Sequence, residues 1–204
     1  MDAPGDEYAT LASRAEAELT VRGSRFLAVA IPVTERAGCE AELALRRKRL
    51  AGATHHAYAY RLGPAGAEWR ANDDGEPAGS AGRPILGAIE GAALSDLLVV
   101  VTRYFGGTKL GVGGLGRAYR DAAAGALARG TRAVNVLCTV IDVATAHDSV
   151  GPVMKAATLA GGKILSSRYD ADVQLAIEIR RSRVEGLRAM LLEAARGNVR
   201  ISVR

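Results

Sequence analysis

RYFGGTKLGVGGLGRAY, residues 103–119, contains six glycines, three cations and two tyrosines. The apolar run 97–102 before this stretch predicts a central strand, and the Ala-rich run 115–128 after it predicts a helix. The glycines between them are therefore expected in a loop that leads from the strand into the helix. Such a loop suits three roles: holding the phosphates of a nucleotide, contacting a nucleic-acid backbone, or making only a tight structural corner.

A glycine pattern inside this stretch, at Gly111, Gly113 and Gly116, matches the G-x-G-x-x-G pattern of dinucleotide-binding folds. In those folds the first glycine directly follows a strand, whereas eight residues separate Thr102 from Gly111 here. The P-loop pattern also fails, because Leu110 follows the lysine where Ser or Thr is required. The spacing argues against both nucleotide folds and leaves anion contact and a structural corner equally open.

A second unusual segment, NDDGEP at 72–77, places three carboxylates within four residues. Carboxylates this dense suit a divalent cation or general acid–base work, but an Asp-Gly turn with solvated side chains is favoured. Small residues, a hydroxyl and a cation follow at 78–83, ahead of Pro84, which predicts the first turn of a second helix. Two permissive loops that each precede a helix suggest one shared surface.

The composition is that of an ordinary globular protein, with 204 residues, 49% hydrophobic residues and a net charge of +5. This balance permits a nucleic-acid partner without requiring one. The acidic N-terminus is unlike a signal peptide, and no apolar run is long enough to cross a bilayer. Cys39 and Cys138 are expected to be reduced thiols of a cytoplasmic protein. His55 and His56 would point to opposite faces of a strand, which argues against a zinc site.

The last third of the chain predicts the order β-α-β-β-α-β, which is typical of a ferredoxin-like sheet with two helices on one face. Alternating β-branched residues indicate the strands, and apolar stripes that end at Gly161 and Gly197 indicate the helices. The predicted strands are 137–146, 163–169, 172–179 and 198–203, and the predicted helices are 149–160 and 184–195.

The first two-thirds also mix strands and helices, so the whole chain is predicted to be an α+β protein with two domains, 1–132 and 133–204. Thr34 is expected to cap a helix whose last turn carries four cations at 46–49, where they suit the helix dipole better than a nucleic acid. Segment 130–135 is expected to be the domain boundary. The predicted strands are 17–21, 26–33, 55–62, 67–71 and 97–102, and the predicted helices are 34–50, 84–94 and 115–128.

Two blocks of the sequence, 73–86 and 99–119, resemble the signature of the YigZ/IMPACT family. Shorter blocks at 23–28 and 54–60 match the same family, so the resemblance covers about residues 18 to 130. The chain departs from the family pattern in three places. Ser80 stands where Thr is usual, Ala57 where Cys is common, and Gly116 where a branched apolar residue is usual.

The resemblance implies a first domain like domain 2 of ribosomal protein S5 and a second domain like the ferredoxin-like domains of elongation factor G. It also implies a role in translational control, because the eukaryotic member binds a ribosome-associated activator and restrains an amino-acid-starvation kinase. No settled enzymatic activity attaches to the bacterial members. The S5-like fold is shared with small-molecule kinases, so an enzyme that binds phosphate stays open as an alternative.

The leading hypothesis is a non-enzymatic regulatory protein that binds RNA or the ribosome, without a cofactor, a metal ion or a membrane. The cations of the glycine stretch at 103–119 would contact phosphates, its glycines would supply backbone N–H groups, and one of its tyrosines would stack on a base. The candidate residues in this stretch are Arg103, Tyr104, Gly106, Gly107, Lys109, Gly113, Gly114, Arg117 and Tyr119. The candidate residues on the second loop and beside it are Asp73, Asp74, Glu76, Ser80, Arg83 and His56.

Two alternatives to the RNA hypothesis remain. The first is a hydrolase or phosphotransferase in which Asp73, Asp74 and Glu76 hold a metal ion beside the glycine loop. The second is a module that binds only a protein partner, as the eukaryotic relative suggests.

Overall fold

The computed structural model describes residues 5–204, which form eleven strands and five α-helices, so the predicted α+β class is confirmed. Residues 1–4 of the predicted first domain lie outside the described residues. Contacts divide the chain into two units, residues 8–135 and residues 136–204 together with 5–7. The sequence places the boundary slightly earlier, after residue 132. Within residues 5–204, no helix combines the length and the apolar character that a membrane crossing needs.

The first unit is built on a five-stranded antiparallel sheet with the strand order β2-β3-β6-β4-β5. A separate two-stranded sheet pairs β1 with β7. The strands are β1 (Glu7–Leu11), β2 (Ala15–Val21), β3 (Ser24–Pro32), β4 (His55–Leu62), β5 (Glu68–Asn72), β6 (Leu97–Tyr104) and β7 (Arg132–Val136), and the helices are α1 (Arg36–Arg49), α2 (Gly82–Gly91) and α3 (Gly111–Arg129).

The run before the glycine stretch is apolar because it forms β6, the middle strand of the sheet. Successive side chains of a strand point to opposite faces. Val99 and Val101 pack into the core that contains α2 and α3, whereas Leu98 and Val100 pack into the core that contains α1. Both faces of the sheet are therefore covered, and β6 is central as its sequence predicts.

The second unit has the predicted order β-α-β-β-α-β and a four-stranded antiparallel sheet with the order β11-β8-β10-β9. Its core joins one face of the sheet to both helices, with Val153 of α4 and Leu187 and Leu191 of α5 fully buried. Its elements are β8 (Cys138–Thr145), α4 (Val150–Leu159), β9 (Lys163–Tyr169), β10 (Val173–Arg180), α5 (Val184–Ala194) and β11 (Val199–Val203).

The structure corrects several local predictions. Helix α1 begins after Glu35, and its N-cap makes no side-chain hydrogen bond within residues 5–204, so Thr34 is not its capping residue. Segment 130–135, expected to be the domain boundary, contains most of β7, and the partner strand β1 was not predicted. Helix α3 begins at Gly111 rather than near residue 115. Glycine lowers helix propensity, so the glycine-rich first turn of α3 has the sequence character of a loop.

Candidate functional site

A buried carboxylate joins the acidic turn to the end of β6 and to α3. Glu76 accepts hydrogen bonds from Arg103 Nη1 at 2.7 and 3.0 Å and from the Tyr119 hydroxyl at 2.8 Å. Only 4% of the Glu76 side chain and 7% of the Arg103 side chain are exposed. We call Glu76, Arg103 and Tyr119 the buried triad. The two loops that were singled out in the sequence therefore meet inside the protein.

The strand register places Arg103 within this cluster. Arg103 faces Phe26 on β3 and His55 on β4, and its guanidinium carbon lies 5.5 Å from the centre of the Phe26 ring. Its Nη2 donates to Ser24 Oγ at 3.3 Å, while its Nε is buried without a partner. Tyr119 packs edge-on against the same Phe26 ring at 5.2 Å. The guanidinium is thus held by charge, hydrogen bonds and an aromatic ring.

Two of the predicted RNA contacts are therefore wrong for this conformation. Tyr119 is fully buried and cannot stack on a base. Burial, together with the hydrogen bond to Glu76, raises the pKa of its hydroxyl. Arg103 is 6% exposed and already neutralised by Glu76, so it is not available to a phosphate. The sequence pattern could have indicated both burials. Arg103 follows the buried Val101 on the same face of β6, and Tyr119 lies on the buried face of α3.

The second carboxylate, Asp73, occupies the N-terminus of α2. Its Oδ1 accepts from the backbone N–H groups of Ala81 and Gly82 at 2.9 and 2.8 Å, and its Oδ2 accepts from Gly79 at 2.8 Å. Burial acts to raise the pKa of this carboxyl, but the three N–H donors outweigh burial and lower the pKa below its usual value. The N-terminus of α2 therefore already holds an anion from the protein itself.

The third carboxylate, Asp74, is bound to β4 and α1. Its Oδ2 accepts from the His56 backbone N–H at 2.6 Å, and its Oδ1 accepts from Arg47. The His56 ring lies 3.1 Å from Thr102 Oγ1, and burial lowers its pKa. The Nδ1 atom of His55 lies 2.7 Å from the Asp74 carbonyl oxygen, and its Nε2 atom lies 4.0 Å from Glu76 Oε2. The turn is thus a bonded structure rather than a solvated one.

The three carboxylates do not form a metal site. Asp73 accepts from backbone N–H groups before α2, and Asp74 faces β4 and α1. Glu76 faces Arg103 and Tyr119. In the part of the chain that the structure describes, no group of three or more His, Cys, Asp or Glu side chains is placed to hold a metal ion. The geometry therefore gives no support to the enzyme alternative, which needs these carboxylates on one ion.

Two further predicted residues of the second loop lie apart from the triad. Ser80 is 2% exposed, and its hydroxyl donates to the Pro77 carbonyl at 2.6 Å, so it closes the turn. Arg83 is exposed at the start of α2, with its guanidinium carbon 4.7 Å from the centre of the Trp69 ring. Ser80 has a structural role here, and Arg83 belongs to a different part of the surface.

The corner between β6 and α3 depends on a close backbone approach. Gly106 donates its N–H to Ser24 Oγ at 3.1 Å, and a Cβ atom on it would lie 1.9 Å from the carbonyl carbon of Gly23. Only glycine fits such a contact. The predicted structural corner is therefore present at Gly106, while Gly107 and Lys109 beyond it are exposed. Tyr104, another predicted contact, is half-buried, and the guanidinium carbon of Arg25 lies 6.0 Å from the centre of its ring.

The N-terminus of α3 differs from that of α2, where Asp73 accepts hydrogen bonds from Ala81 and Gly82. Within residues 5–204, no side chain accepts a hydrogen bond from the first N–H groups of α3. Its first turn, including Gly113 and Gly114, is exposed, and Gly111 has a φ of +71°, which favours glycine. Lys109 and Arg117 are exposed, and neither has an ion pair or hydrogen bond within residues 5–204. We call Lys109, Arg117 and the first turn of α3 the open helix end.

Sequence reasoning missed two residues beside the open helix end. Arg22 is exposed in the turn between β2 and β3, and it lines a shallow hollow of about 220 Å³ with Arg117 and Asp121. Phe105 is 49% exposed directly after β6. The sequence does not show that the turn at 21–25 approaches α3, because that approach depends on the fold. Phe105 lies within the glycine stretch, and its aromatic side chain is the feature that could have identified it.

Residues 22–127, which include the buried triad and the open helix end, match the family model of the Impact N-terminal domain. This match covers more than half of the chain. The chain belongs to the IMPACT family.

Relatives from three bacteria support the family assignment. The chain is 52% identical over 113 residues to an IMPACT family member of Thermus thermophilus, 41% over 112 residues to the IMPACT family member YvyE of Bacillus subtilis, and 32% over 130 residues to the IMPACT family member YigZ of Escherichia coli. The alignments cover 55, 55 and 64% of this chain. They span 60, 52 and 64% of those relatives, less than two-thirds of each.

Solved structures resemble the IMPACT chain over nearly its whole length. A crystal structure described as an hypothetical protein has a TM-score of 0.72 at 27% identity and covers 96% of each chain. A second crystal structure, of a Thermus thermophilus protein, has a TM-score of 0.56 at 13% identity and covers 98% of this chain but 29% of its own. The second likeness concerns the fold alone.

Proposed function

We propose that this IMPACT family member is a cytoplasmic protein of translational control that binds RNA or the ribosome through the open helix end. One observation carries the proposal: the N-terminus of α3 is exposed and uncapped, and Lys109 and Arg117 beside it have no ion pair within residues 5–204. The absence of an enzymatic role, a cofactor and a metal ion belongs to the same proposal.

The physical basis is the affinity of a helix start for anions. The first N–H groups of a helix have no partner within the helix, and the helix dipole adds a partial positive charge there. A phosphate of RNA would accept hydrogen bonds from these groups and pair with Lys109 and Arg117. Arg22 adds a third cation at the adjacent hollow. Contacts to phosphate fix the position of the RNA but do not read its sequence.

The buried triad has a supporting role in this proposal. Glu76 connects the acidic turn to the strand before the open helix end and to Tyr119 within α3. A rigid connection of this kind keeps N–H groups and cations in one arrangement, which lowers the ordering cost of binding. Arg103 and Tyr119 thus position the site without touching RNA.

The domain folds complete the proposal. The sheet order β11-β8-β10-β9, together with two helices packed on one face, supports a ferredoxin-like fold for residues 136–204. We assign residues 8–135 to the fold of domain 2 of ribosomal protein S5, which the family resemblance implies. Both folds occur in proteins of the translation machinery, and this agrees with an RNA or ribosome partner.

A salt series on RNA binding tests the proposal. The full chain is compared with Lys109→Ala/Arg117→Ala and with a control, Lys48→Ala/Arg49→Ala, which removes the same two charges from exposed positions of α1. We expect the first variant to bind structured RNA at least roughly tenfold more weakly and to lower the slope of log affinity against log salt by about 2, one for each lost contact. The control should change both quantities much less.

Two results would contradict this function. The first is no RNA binding by the unmodified chain at low salt, where electrostatic contacts are strongest. The second is an equal effect of both double variants, which would indicate attraction by net charge alone. A protein partner that is captured equally well after nuclease treatment would favour the protein-interaction alternative instead.

A further inference from the structure

Phe105 is an exposed aromatic residue on a fixed piece of backbone. It directly follows β6, and 49% of it is exposed. Its N–H donates to Thr54 Oγ1 at 3.1 Å, and the next residue, Gly106, is held against Gly23 and Ser24. The position of the ring is therefore set by the fold rather than by a flexible loop.

The guanidinium of Arg103 lies close to two aromatic rings. Its carbon is 5.5 Å from the centre of the Phe26 ring and 5.4 Å from the centre of the Phe105 ring. Glu76 holds it there through two hydrogen bonds.

An exposed cation follows this ring in the chain. Lys109 is four residues further along the chain, so their Cα atoms are at most about 14 Å apart. The open helix end follows directly. Contact with a ligand would remove the exposed part of the phenyl ring from water, and the open helix end favours a negative charge. Together they suit a ligand that has both a flat apolar surface and a negative charge. An unpaired nucleotide has both.

We propose that Phe105 stacks on an unpaired base of RNA whose phosphate lies at the open helix end, so the preferred ligand is single-stranded RNA or a loop rather than a duplex. This inference rests on the function proposed above. Bases within a duplex are stacked on their neighbours and do not present a free face, whereas unpaired bases stack readily on aromatic side chains. Arg103, beneath the ring, is a positioning residue for this contact.

The chain provides a matched control for this role. Trp69 is also 49% exposed and also has an arginine beside its ring, Arg83 at 4.7 Å, but it lies on the edge strand β5. Affinities of Phe105→Leu and Trp69→Leu are measured in the full chain for a single-stranded RNA and for the same sequence in a duplex. We expect Phe105→Leu to weaken single-strand binding about 5- to 150-fold and to affect duplex binding far less, whereas Phe105→Tyr, which keeps an aromatic ring, should retain single-strand binding.

A second measurement separates stacking from a purely structural role of the ring. Phe105→Trp is combined with Trp69→Phe, and fluorescence is followed as single-stranded RNA is added. Quenching that persists at a salt concentration where binding is still complete supports stacking. An unchanged spectrum on full binding overturns it, as does a Phe105→Leu variant that unfolds at lower temperature but keeps the single-strand preference.

The two proposals fail in different ways. If Lys109→Ala/Arg117→Ala weakens RNA binding while Phe105→Leu and Trp69→Leu behave alike, the stacking proposal is wrong and the RNA function stands. If the unmodified chain binds neither RNA, both are wrong.

Discussion

The two helices that follow the unusual loops of this protein start in opposite ways. At α2, the Asp73 carboxylate accepts hydrogen bonds from three backbone N–H groups, so the helix end is closed by an anion of the protein itself. At α3, no side chain of the described residues 5–204 accepts from the first N–H groups, and Lys109 and Arg117 are exposed beside the helix end. The same local physics therefore stabilises the fold at one helix and leaves a place for an external anion at the other.

Loss of the Glu76–Arg103 ion pair, which joins the acidic turn to the strand before α3, should have the largest effect on stability. Glu76→Ala leaves Arg103 buried without its partner, and removing one member of a buried ion pair typically costs about 3–5 kcal/mol. We expect a loss of this size in the free energy of unfolding, measured with urea. Glu76→Gln keeps an acceptor for Tyr119 and should lose less.

Glu90→Ala is the control for this substitution, because Glu90 is an exposed acid on α2. Its effect should stay within about 0.5 kcal/mol. A Glu76→Ala variant that is as stable as Glu90→Ala would show that the triad does not hold the two regions together.

Removal of the carboxylate that closes α2 should have the next largest effect. Asp73→Ala leaves the N–H groups of Gly79, Ala81 and Gly82 without an acceptor. Loss of a helix cap typically costs about 1–2 kcal/mol, and Asp73→Asn, which keeps one acceptor oxygen, should cost less. Equal stability of Asp73→Ala and the unmodified chain in urea unfolding would contradict the closed state of α2.

The lowered pKa of Asp73 gives the same comparison a pH dependence. A carboxyl whose folded pKa lies below its unfolded value stabilises the fold above the unfolded value of about 3.9. This stability is lost as the pH falls through the lower, folded pKa. We therefore expect the difference in unfolding free energy between the unmodified chain and Asp73→Asn to be constant near neutral pH and to shrink below about pH 4.

The elements of the fold were largely predictable because their apolar patterns are local. Strand alternation and helical stripes predicted every element of the second unit, and β9 has the predicted bounds, Lys163–Tyr169. The first turn of α3 was mistaken for a loop because four of its first six residues are glycines. The pairing of β1 with β7 joins segments more than a hundred residues apart, and no local pattern encodes such a contact.

The candidate site was predicted only in part, for a related reason. Sequence spacing identified the acidic turn and the glycine stretch, but it gave no information on which charges face each other. Glu76 meets Arg103 and Tyr119 across 27 and 43 residues. Once that pair is formed, Arg103 becomes part of the core, and of the three cations in the glycine stretch Lys109 and Arg117 stay exposed for a ligand. Side-chain pairing across the fold thus decides which predicted residues can act.

The smallest expected effect comes from making α3 resemble α2. Val112 is 63% exposed in the first turn of α3, so Val112→Asp adds a negative charge at the open helix end with little change in packing. The charge should stabilise the fold by about 0.3–1 kcal/mol at low salt, through the helix dipole. It should also weaken RNA binding, because it occupies the position proposed for a phosphate.

Val112→Asn has nearly the same shape without the charge, and it isolates this effect. Thermal unfolding and RNA affinity are measured for both variants at low and high salt. A stability gain and an affinity loss that occur only in Val112→Asp, and that both shrink with salt, would show one electrostatic cause with opposite consequences for the fold and the ligand. An affinity loss shared by Val112→Asn would instead assign the effect to shape, and α3 would then differ from α2 in packing rather than in its capacity for an external anion.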